Sequence, residues 1–342
     1  MKSRAHVILF GLLTALMLNG CVSVPDTQTA PLAPPNSQLN ASSFKDPNLE
    51  KAVREKLGKP EGTLSTGELA SIETLDDLAV EIDITNLGGI EQLTGLRDLD
   101  LSNNRLHDVS AVSALINLEN LNLNNNQIEH LPNFEQLWGL KRLNIGNNKI
   151  IDITGLKDLP RLEYLYMENN GIRRVDALAS LGELKDLIIS SNSISDINSL
   201  GDLMSLEKLE ASDNGIQSLP DFKGGITLKY IYLSQNKISD LTPLRSVAGL
   251  SILELDDNSI TDLEPLSALE HLTRLSVSKN RVRDLTPLSS LTQLSALNLS
   301  ENEVHDAGPL AALVQLSQLD IRNNPVADYS PLEGLTRTEI LK

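Results

Sequence analysis

The side chains that could do chemistry are few and far apart in this sequence. Four histidines lie beyond residue 20, at His107, His130, His271 and His305, and no two are four residues apart, as a metal-binding pair on one helix would be. The single cysteine, Cys21, leaves no pair for a zinc site, and neither a GxSxG nucleophile motif nor a phosphate-binding loop occurs. The sequence therefore predicts no catalytic residue, no metal, no cofactor and no enzymatic activity.

The balance of charges restricts the choice of partner. The chain has 46 acidic residues against 29 Lys and Arg, which gives a formal net charge of −17, and removal of Lys2 and Arg4 with an N-terminal leader makes it −19. Such a surface repels a phosphate backbone, so no nucleic-acid partner is expected. Solubility is the simplest interpretation of the charge, and attraction of a basic or metal-bearing partner is the alternative.

The N-terminal segment has the layout of a signal peptide. Lys2 and Arg4 precede an apolar run from residue 5 to residue 18. A helix of this length reaches about 21 Å, which is less than the ~30 Å hydrocarbon core of a bilayer. The sequence therefore predicts a leader that is removed rather than a permanent membrane span.

The residues Leu18, Asn19, Gly20 and Cys21 resemble the lipobox of bacterial lipoproteins. The resemblance implies that the Cys21 thiol is acylated and that three acyl chains anchor the protein to a membrane of the cell envelope. Val22 implies the outer membrane in a Gram-negative cell, and in any other cell the anchor would hold the protein at the cell surface. A secreted protein in which Cys21 has no such role is the alternative.

The main body of the sequence is a repeat. The pattern LxLxxNx(I/L/V) begins at Leu99, and each of its asparagines follows the one before by 22 residues. The eleven asparagines are Asn104, Asn126, Asn148, Asn170, Asn192, Asn214, Asn236, Asn258, Asn280, Asn302 and Asn324. This motif and period predict an α/β repeat solenoid, a leucine-rich-repeat horseshoe with a parallel sheet on its concave side. The asparagine amides are expected to satisfy backbone groups at the strand ends, as a structural ladder.

The return segments between strands predict short helical or 3-10 turns on the convex side. Segments 240–244 and 284–288 read Asp-Leu-Thr-Pro-Leu, in which proline suits the first helical position and aspartate suits a cap. The recurring aspartates are therefore predicted to be turn and cap residues. A calcium ladder is the alternative, although no single turn clusters the oxygen ligands that calcium needs.

The ends of the repeat differ from its middle. Asp46 before Pro47 predicts the start of one helix, and Ser65 with Glu68 predicts a capping box for a second, followed by an irregular strand at 80–84. The predicted organisation is a signal peptide at 1–20, the lipidated cysteine and a flexible tether at 21–43, an N-terminal helical cap at 44–86, leucine-rich repeats at 87–335 and a C-terminal tail at 336–342, which makes only a thin cap.

The repeat unit of residues 284–305, together with the helical segment before the repeats, resembles the bacterial internalin-type repeat and cap. The resemblance covers about residues 44–335. It implies protein binding on the concave face and identifies no particular ligand. The sequence lacks the immunoglobulin-like domain and cell-wall sorting motif that follow internalin repeats, so host-cell invasion is not implied.

The concave face is predicted to be uneven. Four of the five tyrosines fall at outward strand positions, four or six residues before a repeat asparagine. We expect the binding centre to consist of Tyr164, Tyr166, Ile188, Tyr230, Tyr232 and Ile252. We expect a charged rim of Arg142, Glu168, Lys208, Glu210, Glu254, Asp256 and Arg274. Rigid tyrosines give large contact area at small entropy cost; the alternative is that aromatic residues simply suit exposed strands.

These patterns favour a monomeric, membrane-anchored protein-binding module, acting as an adhesin or envelope scaffold. Carbohydrate or peptidoglycan binding is the second hypothesis, because tyrosines stack on sugar rings. A purely structural role is the third. Trp138, twelve residues after Asn126, is predicted to lie on the convex side as a packing residue or surface anchor.

Overall fold

The computed structural model describes residues 44–75, 83–223 and 225–342. The helices are α1 (Pro47–Lys56) and α2 (Thr66–Ala70). The strands are β1 (Thr74–Leu75), β2 (Asp98–Asp100), β3 (Asn120–Asn122), β4 (Arg142–Asn144), β5 (Tyr164–Tyr166), β6 (Asp186–Ile188), β7 (Lys208–Glu210), β8 (Tyr230–Tyr232), β9 (Ile252–Glu254), β10 (Arg274–Ser276), β11 (Ala296–Asn298), β12 (Gln318–Asp320) and β13 (Glu339–Leu341). The 3-10 helices are Ile90–Gln92, Ser110–Ala114, Thr154–Leu156, Asp176–Leu178, Asn198–Asp202, Thr242–Ser246, Glu264–Leu266, Thr286–Leu288, Gly308–Ala312 and Ser330–Leu332.

All 13 strands of the described residues form one parallel sheet in chain order. The eleven strands expected from the repeat are β2 to β12, and their pairing in steps of 22 residues, such as Leu99 with Leu121, confirms the predicted solenoid. The middle residue of each of these strands is buried, while the first and third lie on the opposite face of the sheet. A continuous core of leucine and isoleucine therefore lines one face of the sheet.

The sheet is longer than predicted by one strand at each end. The lead-in strand was expected at 80–84, but β1 lies at 74–75, while Asp83 and Ile84 are not in a strand and 80–82 lie outside the described residues. At the other end, the segment predicted to be a tail contains β13, which pairs with β12. Both strands pair at intervals that depart from 22, since Thr74 pairs with Asp98 and Gln318 with Glu339.

Asn280 shows how the repeat asparagines join neighbouring coils. Its Nδ2 donates to the carbonyl oxygens of Val277 (3.1 Å) and Ser278 (3.0 Å) in its own coil and of Leu255 (2.9 Å) in the coil before. Its Oδ1 accepts a hydrogen bond from the backbone N–H of Ile260, also in the coil before, at 2.9 Å. One buried amide thus bonds to four backbone groups: it is the partner of the Ile260 N–H, and it is one of two donors to each of the three carbonyl oxygens.

The same arrangement recurs along the chain. Asn126, Asn148, Asn170, Asn192, Asn214, Asn236, Asn258, Asn302 and Asn324 make the four equivalent bonds. The residue before each asparagine has φ between 52° and 57°, a left-handed conformation that includes Gln235, Lys279 and Glu301. Since this conformation costs about 1–2 kcal/mol for such residues, the asparagine hydrogen bonds must hold the turn in place.

The predicted turns after the strands are 3-10 helices, and aspartate opens most of them. In eight coils an aspartate side chain accepts a hydrogen bond from the backbone N–H two residues later: Asp108, Asp152, Asp196, Asp240, Asp262, Asp284, Asp306 and Asp328. These carboxylates therefore cap turns, as expected. Within the described ranges, no group of three or more His, Cys, Asp and Glu could hold a metal ion.

Two coils depart from this rule, because no 3-10 helix occurs in the described residues between β3 and β4 or between β7 and β8. Pro132 and Pro220 occupy the position whose N–H the aspartate would bind, and proline has no N–H to donate. The expectation of a helical turn in every coil is therefore wrong for these two. Phe134 and Phe222 fill their core instead of leucine, at 0% and 4% exposure.

Asp46 connects the N-terminal helix to the first coil. Its carboxylate accepts from the backbone N–H of Asn48 (2.9 Å) and Leu49 (3.4 Å) at the start of α1, as predicted for a cap. It also accepts from the N–H groups of Thr85 (2.8 Å) and Asn86 (3.2 Å). Burial raises the pKa of Asp46, but these hydrogen bonds, that to Thr85 foremost, outweigh it and hold the pKa below its usual value.

We expect Asn280→Ala to lower the free energy of unfolding by about 3 kcal/mol, because it leaves the buried N–H of Ile260 without its hydrogen-bond partner and removes one of the two hydrogen bonds that each of three carbonyl oxygens accepts. Urea unfolding would measure the change. Asn117→Ala is the control, since the exposed Asn117 makes a single side-chain hydrogen bond, to the Thr94 carbonyl; its loss should cost less than about 1 kcal/mol. Equal effects of the two substitutions would contradict the role assigned to Asn280.

Candidate protein-binding face

The face of the sheet opposite the leucine core, here called the open face, consists of the first and third residues of the strands. Strand pairing aligns these residues in two columns, each with one residue per strand. From β4 to β10 the first column is Arg142, Tyr164, Asp186, Lys208, Tyr230, Ile252 and Arg274. The third-residue column is Asn144, Tyr166, Ile188, Glu210, Tyr232, Glu254 and Ser276.

The aromatic residues predicted for a binding centre thus share one region. We define the tyrosine patch as the open-face residues of β5 to β9: Tyr164, Tyr166, Asp186, Ile188, Lys208, Glu210, Tyr230, Tyr232, Ile252 and Glu254. Tyr230 is 37% exposed, and the others are half-buried. Their burial comes from packing side by side across strands, which restricts the rotamers before any partner arrives. Such a face offers apolar area at a small further entropy cost.

The ion pair of β7 lies inside this patch. Lys208 Nζ is 2.5 Å from Glu210 Oε1 and 6.0 Å from the centroid of the Tyr232 ring. Both charged residues were predicted for the rim. In the sheet, however, β7 lies between β5 and β8, the two strands that carry the tyrosines. Arg142, by contrast, does stand at an edge, with its Cζ 4.5 Å from the Tyr164 ring centroid.

Asp186 is a candidate that the sequence reasoning did not select. It lies between Tyr164 and Lys208 in the first column, but the ion pair of Lys208 is with Glu210. Its Oδ1 is buried and has no hydrogen-bond partner in the described part of the chain. Burial raises the pKa of Asp186, and repulsion by Glu210 adds to this, while Lys208 and a hydrogen bond from Tyr166 oppose it; the pKa lies above its usual value.

Glu168, two residues after β5, carries the other buried oxygen of this kind. Its Oε2 has no hydrogen-bond partner among the described residues. The side chain lies over Gly146 of the neighbouring coil, where an added Cβ would meet Glu168 Oε1 at 2.6 Å. The signal for this contact was in the sequence, because Gly146 is the one glycine among the residues two before each repeat asparagine.

Glu254 ends the patch on the side of β10. Burial raises its pKa, and repulsion by Asp256 and Glu210 adds to the effect, while Arg274 lowers it; the pKa is raised overall. Arg274 Nη1 is 4.0 Å from Glu254 Oε1, at the limit of an ion pair. Asp256 is satisfied within the chain, because it accepts from Ser276 Oγ at 2.5 Å and from the Ser278 N–H at 2.7 Å.

A column just before the strands shows how charges are arranged elsewhere. From residue 97 in steps of 22 it reads Arg97, Glu119, Lys141, Glu163, Lys185, Glu207 and Lys229, with alternating signs. Glu119 binds cations on both sides, at 2.7 Å each, and Lys185 lies 2.6 Å from Glu163. Every carboxylate of this column therefore forms an ion pair with a cation in a neighbouring coil, whereas Lys208, the cation next to Asp186, forms its ion pair with Glu210.

A shallow groove lies on the open face beyond the tyrosine patch. It has a volume of about 390 Å³ and is lined by Glu254, Arg274, Leu275, Ser276, Ala296, Leu297, Asn298, Gln318, Leu319, Asp320, Glu339 and Leu341. In the first column the small side chain of Ala296 lies between the longer Arg274 and Gln318, which gives the groove its depth. The groove is mostly polar at its edges, in contrast to the tyrosine patch.

Away from the open face, large apolar side chains are exposed at one repeat position, twelve after the asparagine. They are Ile116, Trp138, Met204, Ile226 and Val314, with exposures from 55% to 81%. Trp138 is 65% exposed and donates from Nε1 to the Glu135 carbonyl, so the packing role considered for it is wrong. Cys21 and the rest of 1–43 lie outside the described residues.

These features define the class of the protein by its fold: the chain is a leucine-rich-repeat solenoid, similar in structure to internalins. Proteins of this fold are generally non-enzymatic protein-interaction modules. The family model for leucine-rich repeats, in two copies, matches residues 94–136, 116–158, 138–181 and 248–290. No curated protein sequence matches the chain. None of the helices in the described residues is long and apolar enough to cross a membrane.

Several solved structures are similar to the chain. An internalin from Listeria monocytogenes, InlF, is 28% identical with a TM-score of 0.74, over 88% of this chain and 96% of that one. The functional domain of InlJ from the same organism is 24% identical with a TM-score of 0.79, over 86% and 63%. The ectodomain of the Arabidopsis thaliana membrane receptor kinase GASSHO1/SCHENGEN3, in complex with CASPARIAN STRIP INTEGRITY FACTOR 2, is 22% identical with a TM-score of 0.66, over 74% and 33%. The last two share the fold alone.

We expect Asp186→Asn to raise the free energy of unfolding at pH 7 by on the order of 1 kcal/mol, because it removes the charge of a half-buried carboxylate whose Oδ1 has no hydrogen-bond partner in the described residues. A raised native pKa means that the folded state binds the proton more tightly than the unfolded state. The wild type should therefore gain stability as the pH falls through that pKa, and the difference between the two proteins should shrink.

Urea unfolding at pH 7 and at acid pH measures both effects. The matched control is Asp98→Asn, in the same column on β2, where the carboxylate accepts a hydrogen bond from Asn120; a change within about 0.5 kcal/mol is expected there. An Asp186→Asn protein that is less stable than the wild type at pH 7 would refute the view that the charge of Asp186 lowers the stability of the folded protein.

Proposed function

We propose that this chain is a non-enzymatic protein-binding module, held at the cell envelope by a lipidated Cys21, and that it captures its partner on the tyrosine patch. The observation that carries the proposal is the concentration of four tyrosines, on β5 and β8, and two isoleucines, on β6 and β9, within five adjacent strands of a mostly polar open face. Interface centres are enriched in tyrosine, and the surrounding polar residues exclude water.

The sheet favours binding because it presents the patch rigidly. Each strand is fixed by backbone pairing on both sides and by the asparagine bonds at its end. A partner would therefore meet a surface whose shape is already set, so less conformational entropy is lost on association. Tyr164, Tyr166, Ile188, Lys208, Glu210, Tyr230, Tyr232, Ile252 and Glu254 are the proposed contacts.

The biological role is proposed to be that of an adhesin or an envelope scaffold. The likeness to the internalin InlF supports a role of this kind, since it extends over 88% of the chain at 28% identity. The plant receptor ectodomain of the same fold forms a complex with a protein factor. Protein capture by the open face of a leucine-rich-repeat sheet is the function that the tyrosine patch fits best.

The anchor is proposed from the sequence at the N-terminus. A lipobox-like end to the apolar run gives Cys21 as the acylation site, and residues 22–43, rich in Pro, Ser, Thr and Asn, give the composition of a tether. The proposed location is the outer membrane in a Gram-negative cell and the cell surface otherwise.

Carbohydrate or peptidoglycan binding is the second candidate function. The groove at Ala296 favours it, because Arg274, Asn298, Gln318 and Asp320 there could bind sugar hydroxyls. A glycan array probed with the full chain, set against capture of proteins from the native envelope, distinguishes this candidate from the first. Specific glycan binding that a bulky residue at position 296 abolishes would favour the second.

We expect Tyr166→Ser with Tyr232→Ser to reduce partner capture at least about tenfold, because each removes an interface tyrosine. A photoreactive residue at position 230, the most exposed of the patch, would trap the partner in cells, and the yield of crosslinked product is the measurement. The melting temperature should fall only slightly, since both half-buried side chains lie on the open face and outside the leucine core.

The matched control replaces Asn122 and Asn298 by Ser in the same column on β3 and β11. These substitutions change the same strand position outside the patch and should leave the crosslinked product intact. If the tyrosine variant captures as much partner as the wild type, the open face of β5 to β9 is not the binding site.

Cys21→Ser should release the protein from the membrane fraction into the soluble fraction or leave its leader uncleaved, because no other thiol is present to accept an acyl chain. Cell fractionation and intact mass measurement check this, and the mature wild type should carry the mass of its acyl chains. Ser23→Ala, close to the same site, is the control. A soluble wild-type protein would exclude the anchor without affecting the binding proposal.

A further inference from the structure

The tyrosine patch and the two acidic residues that follow its strands form a strongly acidic region. Across β5 to β9, the residues at these positions include five carboxylates and one ammonium, a net charge of −4. The carboxylates are Glu168, Asp186, Glu210, Glu254 and Asp256, and the ammonium is Lys208. The chain therefore does not neutralise this surface within its own strands.

The five carboxylates differ in their partners within the chain. Glu210 lies 2.5 Å from Lys208, Asp256 accepts hydrogen bonds from Ser276 and Ser278, and Glu254 lies 4.0 Å from Arg274. Asp186 and Glu168 each retain a buried oxygen without a partner in the described residues. Both flank the tyrosines of β5, Asp186 from the next strand and Glu168 from the end of β5 itself.

The rings of the patch already accept cations from the chain. The Arg142 guanidinium lies 4.5 Å from the Tyr164 ring centroid, and the Lys208 ammonium lies 6.0 Å from that of Tyr232. A tyrosine face attracts a cation through its quadrupole, and more strongly where water is excluded. A tyrosine beside a carboxylate with an oxygen that lacks a hydrogen-bond partner in the described residues is therefore a site for a cation that also carries an apolar stem, as Lys and Arg side chains do.

We propose that the partner is a protein segment with a Lys or Arg side chain among apolar or aromatic residues, and that this cation lies against Tyr166 and pairs with Asp186, with Glu168 close by. The inference rests on the proposed function, because it specifies the partner chemistry of the same face. On binding, the cation gives the Asp186 carboxylate an ion-pair partner, so a binding segment that lacks the cation is selected against.

The test selects ligands from a random 12-residue peptide library displayed on phage, with the full chain as bait. Peptides that bind the patch should be enriched in Lys or Arg flanked by apolar residues. For a selected peptide, Asp186→Asn should weaken binding at least about tenfold, because a buried charge pair loses one partner. Asp98→Asn, in the same column outside the patch, should leave the dissociation constant unchanged.

A double-mutant cycle locates the contact. Replacing the basic residue of the peptide by norleucine or citrulline should weaken binding to the wild type about as much as Asp186→Asn does, and should cause little further loss with that variant. Glu168→Gln should have a smaller effect in the same direction. Binding should also weaken as salt concentration rises.

The outcomes separate the two proposals. Peptides that lose binding to the Tyr166→Ser, Tyr232→Ser protein, yet lack basic residues or ignore Asp186→Asn, overturn the partner chemistry and leave the binding face standing. Peptides that bind regardless of both tyrosine substitutions, or a library that yields no binder, contradict the binding face and the partner chemistry together.

Discussion

The structure depends on one repeated interaction, the asparagine amide that bonds two coils together. In each coil after the first, Nδ2 donates to carbonyl oxygens of its own coil and of the coil before, and Oδ1 accepts from that preceding coil. These bonds align the strand end of each coil with that of the coil before, and the asparagines follow one another at the 22-residue period. It also holds the preceding residue in a left-handed conformation, whether that residue is Asn147 or Glu301.

This constraint organises the surface as strictly as the core. Since every coil repeats the same path, the side chain at a given repeat position lies beside its equivalents in the neighbouring coils, and the surface becomes a set of columns. Leucine is required in the core columns, while the open-face columns carry no such requirement. Residues in the open-face columns can therefore vary without disturbing the core. The tyrosines of β5 and β8 are such a variation, because the core residues under these strands follow the same pattern as in the other coils.

The repeat made the central part of the fold predictable, and departures from the repeat made the rest unpredictable. Strands β2 to β12 follow from the 22-residue period, whereas β1 and β13 pair at other intervals and lack the asparagine that marks a strand end. Pro132 and Pro220 did carry a signal for the two coils without a 3-10 helix, since neither has an N–H for a capping aspartate.

The sequence predicted which residues lie in the same column of the candidate site, but it did not predict which of their side chains contact each other. Strand position places Tyr164 beside Asp186, yet only the side-chain conformations show that Lys208 turns to Glu210 and leaves Asp186 without an ion pair. The contact of Glu168 with Gly146 likewise depends on a side chain crossing to the next coil. A periodic sequence therefore predicts which residues are neighbours, while the choice among several charged neighbours is made by packing.

Charged residues occur in two columns of this chain, the one that begins at Arg97 and the one that contains Asp186, and their charges are paired differently. Alternation of sign from Arg97 to Lys229 gives each carboxylate of that column a cation one coil away, through single residues at a fixed spacing. Asp186 has Lys208 one coil away at the same spacing, but Lys208 pairs with Glu210, and position 164 on the other side holds tyrosine. Asp186 Oδ1 is therefore left without a partner in the described residues, and burial raises the pKa of this carboxyl. Residues that reduce stability in this way persist where they serve a function, and a tyrosine beside a carboxylate serves capture of a cation better than it serves folding.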